Sequence, residues 1–208
     1  MILDKHEWMS AVYWMIQGDG NLSKPAQGKN YYFQAVHKVD NADYVAWKGE
    51  ILSQRVGISL KNYYHSKAGK YFVKLYGATH PVFTQLREAI YLDGQKRLCE
   101  HGLKLLDARA LAILFQDDGR MSTDGFIEIH KPLLSVIEQE ALAKRIVDNW
   151  GIIFRVRKSC QLSDGSQGHS LGLRKKDVGN FIAIVYPYIA NSMLYKVTTG
   201  GSANADMT

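Results

Sequence analysis

Two stretches of the chain are apolar almost without a break, Val12-Tyr13-Trp14-Met15-Ile16 and Leu111-Ala112-Ile113-Leu114-Phe115. A helix with no polar face has to be buried nearly all round, so these runs predict two helices at the centre of the fold. Both close in the same way, with Gln, then a small or acidic residue, then Asp-Gly: Gln17-Gly18-Asp19-Gly20 and Gln116-Asp117-Asp118-Gly119. The glycines predict left-handed helix ends. Asp19 and Asp118 then stand at C-terminal helix ends, where the partial negative charge opposes a carboxylate and a cation relieves the conflict. Packed side by side, the two helices bring both carboxylates together beside their last carbonyls. Such a cluster of hard oxygens suits Mg²⁺.

The remaining pattern repeats around these two runs. In the first half, Asp4 or Ser10 caps a helix over 5–19, and the turn residues of 21–25 read as a loop. A β-rich stretch over 31–37 reads as a strand, and Asn41 caps a helix over 42–56. Two strands over 58–65 and 70–76 form a hairpin, and a helix over 81–92 opens with Pro81. In the second half, a connector over 95–106 leads to a helix capped by Asp107 and ending at Asp118. Short strands follow within 121–129, then a helix over 132–150, strands over 152–159 and 168–174, and a helix over 175–185. The order helix, two strands, helix, two strands, helix thus occurs twice, with Asp19 and Asp118 separated by 99 positions. This predicts an α+β fold of two αββαββα repeats, 1–94 and 107–197, joined by a linker over 95–106 and followed by a disordered tail over 198–208.

Charge adds a partner. The chain carries a net charge of +6 and has a pI near 9.2, a balance that favours a polyanion. No Asp or Glu occurs from Ile51 through Arg87, whereas Arg55, Lys61, Lys67, Lys70 and Lys74 fall within that span. Tyr63, His65 and Tyr71 interleave with them, and in the second half Arg155 and Arg157 alternate along a strand, with Lys158, Arg174, Lys175 and Lys176 nearby. A basic, aromatic β-ribbon fits the major groove of duplex DNA, where Arg, Lys and Gln read base edges. The expected DNA-binding set is Gln34, Arg55, Lys61, Tyr63, His65, Lys67, Lys70, Arg155, Arg157, Lys158 and Lys175.

The only two cysteines, Cys99 and Cys160, have neither CxxC nor His-Cys spacing, which indicates neither a disulfide framework nor a zinc site. No apolar run is long enough to span a membrane, and Met1 to Glu7 lacks a signal-peptide pattern, so the expectation is a protein inside a bacterial, phage-infected or archaeal cell or an organelle matrix.

The runs ending Gly18-Asp19-Gly20 and Asp117-Asp118-Gly119 resemble the signature of the LAGLIDADG homing endonucleases. Phe126 to His130, Tyr186 to Ile189 and Ser192 to Lys196 are similar to later blocks of its single-chain members. The resemblance implies a monomer whose signature helices form the seam between two halves and whose two sheets make a saddle over double-stranded DNA. It implies site-specific double-strand cleavage at a long asymmetric target. Asp19 and Asp118 would be the metal ligands, with Gly18 and Asp117 just before them in the same ligand set and Mg²⁺ or Mn²⁺ as the ion. His37-Lys38 and His130-Lys131 follow corresponding strands. Lys38, Lys131, Lys74 and Arg174 are candidates for stabilising transition-state charge, with His37 or His130 positioning water. Gln17, Gln116, Trp14 and Ile113 depart from the signature, which implies a differently packed or wider seam. An intron RNA maturase on the same scaffold is the alternative reading, and a DNA-binding regulator the third.

Overall fold

The computed structural model describes residues 2–198 of the chain, and the expected tail from residue 199 onward lies outside the described residues. The first half comprises α1 (Lys5–Gln17), β1 (Asn21–Ser23), β2 (Tyr32–Lys38), α2 (Ala42–Ser53), β3 (Ile58–His65), β4 (Lys70–Gly77) and α3 (Pro81–Ile90). A two-residue ladder, β5 (Tyr91–Leu92) with β6 (Gln95–Lys96), and a short helix α4 (Glu100–Lys104) then cross to the second half. There the order recurs as α5 (Ala108–Asp118), β7 (Gly119–Met121), β8 (Ile127–Ile129), α6 (Val136–Trp150), β9 (Phe154–Gln161), β10 (Gln167–Leu173) and α7 (Val178–Val185). The sheets have the same strand order, β1-β2-β4-β3 and β7-β8-β10-β9, both antiparallel throughout. The expected duplication is therefore present in the topology.

α1 begins at a capping box: Asp4 accepts from the Glu7 backbone N–H at 2.8 Å, and the Glu7 carboxylate accepts from the Asp4 N–H at 3.0 Å. α5 begins with Asp107 accepting from the Ala110 N–H. Both helices are buried along their length, from Ser10 to Gln17 and from Arg109 to Gln116, and they pack directly against each other. Four local differences from the sequence reading stand out. Residues 21–23 form an edge strand, because Asn21 to Ser23 pair in register with Gln34 to Tyr32. α6 starts at Val136 and not at Pro132, since Ser135 and Glu138 make a second capping box. Asn41 makes no side-chain cap, and the connector contains β6 and α4, whose Gly102 lies against the Tyr13 ring.

Gly20 and Gly119 are not left-handed, contrary to expectation. They are glycines for want of room. A Cβ at Gly20 would lie 2.4 Å from the Met15 carbonyl and 2.5 Å from the Phe33 ring. One at Gly119 would lie 2.1 Å from the Phe115 ring. The chain turns from each signature helix into an edge strand so tightly that no side chain fits. Gly119→Ala should therefore lower stability by about 1–3 kcal/mol through overpacking. Gly179→Ala, at an exposed position of α7 with nothing near the added atom, should raise it by roughly 0.5–1 kcal/mol. Urea denaturation of both variants measures the contrast.

Candidate active site and nucleic-acid face

The C-terminal ends of α1 and α5 meet, and the seam there is polar. The Asp117 side chain is wholly buried, and its Oδ1 accepts from Lys48 Nζ at 2.6 Å and from the Tyr44 hydroxyl at 2.9 Å. Its Oδ2 accepts from the backbone N–H of Asp19 at 3.1 Å. Both partners on α2 belong to the first half, whereas Asp117 belongs to the second. Burial opposes ionisation of Asp117, but the Lys48 charge and the hydrogen bonds from Lys48 and the Asp19 N–H help outweigh burial and hold its carboxyl below the usual range. The Lys48 side chain is as buried as that of Asp117, lies 4.3 Å from the Tyr44 ring centroid, and has Nζ 3.2 Å from His37 Nε2.

That last contact favours one tautomer of His37. An ammonium has donors and no lone pair, so Nε2 accepts and the ring proton is on Nδ1. Nδ1 faces Asp19 Oδ2 at 3.8 Å. Burial, then the Lys48 charge, pushes the His37 pKa down to about 4, so the ring is neutral at pH 7. Asp19 itself is partly open, its side chain 43% exposed. Burial of the rest of the group and the Asp117 charge push its pKa up to about 6. Asp118 is more enclosed, with its Oδ2 3.0 Å from Lys131 Nζ, and burial raises its pKa too. Two carboxylates whose ionisation costs free energy mark a site short of positive charge.

Lysines hold the exposed helix-end carbonyls. Lys96 donates to the Gly18 carbonyl at 2.6 Å, and Lys131 donates to the Gln17 carbonyl. Lys196 donates to the Gln116 and Gly119 carbonyls at 2.6 and 2.8 Å. Burial and then Lys131 pull the Lys96 pKa down to about 8, and burial lowers that of Lys196. Gln17 and Gln116, at the departed signature position, pin the returning chain of each half. The Gln17 amide donates to the Arg97 carbonyl at 2.8 Å, and the Gln116 amide donates to the Tyr188 carbonyl at 3.0 Å.

The first sheet's outer face carries Gln34, Val36 and Lys38 of β2, Lys70, Phe72, Lys74 and Tyr76 of β4, and Lys61, Tyr63 and His65 of β3, as the register requires. Lys67 sits in the hairpin turn. His37 faces the opposite way, into the seam, so the adjacent His37 and Lys38 serve different faces. On the second sheet, Arg120, Glu128, Ser170, Gly172, Arg155 and Arg157 share the outer face, and Lys175 lines a small cavity with Arg155 and Arg157. Glu128 is held there by Arg120 at 2.6 Å and by the Ser170 hydroxyl.

Several expected residues lie elsewhere. Arg55 follows α2 and lies over the Trp8 ring at 5.9 Å, roughly 14 Å by helical rise from Gln17 at the other end of α1. Arg174 is bound by Asp177 at 3.0 Å, and Leu171, not Arg174, is level with Ile129 and Gly119 beside Asp118. Lys158, paired with His169, points away from Arg155 and Arg157, and Tyr71 packs on Tyr64 behind the first outer face. His130 is exposed with Nδ1 3.1 Å from Ser159 Oγ, so it is no counterpart of buried His37. Gly18 offers its carbonyl to Lys96. Sequence reasoning missed Tyr44, Lys48, Lys96 and Lys196. A lone Lys within the inward positions Tyr44, Val45, Lys48, Gly49 and Leu52 was the available signal for the first pair. The 100-residue spacing of Lys96 and Lys196, close to that of the two aspartates, was the signal for the second.

Among the described residues, the side chains that bring three ligand atoms within 4.8 Å of one another are Asp19, His37 and Asp117. Asp117 already spends both oxygens on protein donors, and His37 presents an N–H to Asp19. Asp19 and Asp118 keep the free oxygens.

Residues 9–181 match the LAGLIDADG DNA endonuclease family. RecA proteins of Mycolicibacterium chitae and Mycolicibacterium flavescens are 31% and 32% identical over 88% of this chain, which spans 44% of their length. The DNA endonuclease I-ChuI of Chlamydomonas applanata is 22% identical over 93% of this chain and 95% of its own. Among solved structures, the homing endonuclease I-WcaI bound to its DNA recognition sequence has a TM-score of 0.75 at 18% identity, over 93% of this chain and 87% of that one. A single-residue variant of I-DmoI, in complex with its target DNA in the presence of manganese, gives 0.61 at 14% identity, over 91% and 100%. At those identities the likeness is one of fold.

Removing one partner of the buried pair leaves the other charge stranded. Lys48→Met should cost about 3–5 kcal/mol, and adding Asp117→Asn should return most of the loss. Chemical denaturation of the single and double variants tests this.

Proposed function

This chain belongs to the LAGLIDADG DNA endonuclease family, and on that premise we propose that it is a site-specific endonuclease hydrolysing both strands of duplex DNA with a divalent metal, Mg²⁺ or Mn²⁺. The observation that carries this reading is the placement of Asp19 and Asp118 at the meeting ends of α1 and α5, between two sheets with basic outer faces. Their raised pKa values and free oxygens suit a cation, and these two residues would hold it. When bound, such an ion supplies a Lewis acid that activates water and offsets charge on the departing 3′ oxygen.

The chain's own groups do the rest. Lys96, Lys131 and Lys196 ring the carboxylates and offset phosphate charge, while also neutralising the helix-end carbonyls. Neutral His37 faces the Asp19 carboxylate with Nδ1 3.8 Å from Oδ2 and lines that side of it. Lys61, Lys74, Arg155 and Arg157 anchor backbone phosphates and read base edges. The outer faces differ, with Tyr63, Phe72 and Lys74 on one and Arg120, Glu128 and Arg157 on the other. An asymmetric target suits them, and the two halves in one chain suit a monomer.

The test is incubation with DNA carrying the gene's flanking sequences joined into one uninterrupted site, with Mg²⁺ or with EDTA. Mg²⁺-dependent cuts in both strands at one position are expected. Asp19→Asn and Asp118→Asn should each abolish double-strand cleavage and leave binding intact, and unimpaired cleavage by either refutes the assignment. In binding titrations, Arg155→Ala should flatten the log K against log[salt] slope by about 1. Arg55→Ala should leave the slope unchanged.

A further inference from the structure

The two carboxylates sit in unlike surroundings, although the folds around them are duplicates. Counting from the residues that precede them, Asn41 for α2 and Ser135 for α6, the third positions are Tyr44 and Glu138 and the seventh are Lys48 and Leu142. The residue before each signature aspartate is Gly18 in one half and Asp117 in the other. The contact Lys48–Asp117 therefore has, as its counterpart across the seam, Leu142 and a glycine. Glu138 is occupied elsewhere, accepting from the Ser135 and Leu98 N–H groups at 2.8 Å each. The absent side chain of Gly18 also has a tertiary reason. A Cβ there would lie 2.1 Å from Asp117 Oδ2, in the space the carboxylate crosses to reach the Asp19 N–H.

We propose that Asp117, gripped by Lys48 and Tyr44, is a positioning residue for Asp19 with no equivalent at Asp118, and that the enzyme consequently cuts the strand served by Asp19 first. The grip acts on Asp19 from two sides. Asp117 fixes its backbone N–H, and Lys48 sets the tautomer by which His37 Nδ1 faces its carboxylate. Asp118 has neither constraint. It is tied instead to Lys131 at 3.0 Å through Oδ2, with its side chain 20% exposed, so one of its two oxygens is shared with a lysine before any ion arrives. The buried pair turns a symmetric scaffold into one with a leading and a lagging site.

This inference rests on the endonuclease reading, and its test separates the two. A duplex labelled differently on each strand is cut under single-turnover conditions, and Asp19→Asn assigns the Asp19 strand as the one it slows more. Wild-type protein should favour that strand. Lys48→Leu/Asp117→Gly, which gives this side the residues of the other, should reduce the strand ratio about tenfold, the usual scale for outer-shell partners, with DNA affinity unchanged. Lys48→Met/Asp117→Asn keeps an amide oxygen for the Asp19 N–H, guards against a packing defect in the first variant, and should retain the part of the ratio carried by that backbone contact. Equal slowing of both strands, an unchanged ratio in the first variant, or equal loss in both variants would overturn the proposal. A metal-free readout is the ¹⁵N–¹H spectrum of the His37 ring in apo protein. It should show Nδ1–H in wild type and a shift toward Nε2–H in both double variants, and an unmoved ring overturns the Lys48 arm. If wild type cuts neither strand, the endonuclease reading fails while the ring spectrum still tests the grip.

Discussion

Everything in this molecule hangs on two helices that have no solvent face. α1 and α5 carry apolar side chains all round, so each is buried only by pressing against the other and under its own sheet. Burial of this kind is worth about 25 cal/mol per Å² of apolar surface removed from water, and it fixes the seam without any directional bond. Polar contacts then set the register. Ser10 donates to the Leu105 carbonyl at 2.6 Å near one end, and the Asp19–Asp117 contact does so at the other. The sheets' faces and the aspartates' meeting point follow from that single packing decision.

Helix ends concentrate negative dipole, and two such ends side by side concentrate it twice. The chain answers with four lysines, Lys48, Lys96, Lys131 and Lys196, drawn from four separate segments. They do not cancel the site's need for a cation. Each is committed to a carbonyl or to a particular carboxylate oxygen, which leaves oxygens of Asp19 and Asp118 open. The neighbourhood of buried amide carbonyls thus becomes a place where phosphate and metal can meet.

Much of this was legible in the residues. The two apolar runs, the duplicated element order and the strands bearing Lys61, Tyr63, Arg155 and Arg157 are local patterns, and local patterns survive folding. What failed was inference from residue type where the cause is a distant neighbour. Gly20 and Gly119 read as left-handed caps, yet their constraint is the ring of Phe33 in one case and that of Phe115 in the other. Arg55 read as a DNA contact and Arg174 as a cation stabilising transition-state charge, but Trp8 and Asp177 claim them. Lys48 looked like an ordinary helical lysine because its partner lies 69 positions away, on the other half of the chain.

That division of the pair between halves has a bearing on ancestry. A scaffold of two like halves invites the thought that either could be copied and assembled with itself. Two first halves would bury two Lys48 ammonium groups opposite Gly18, without the Asp117 carboxylate that accepts from Lys48 here. Two second halves would bring two Asp117 carboxylates to the seam opposite Leu142. Either homodimer strands two charges in its interior, at a cost of several kcal/mol for each ion. Once this lysine and this aspartate were in place, the halves ceased to be interchangeable, and the duplication they descend from could no longer be reversed by a simple split.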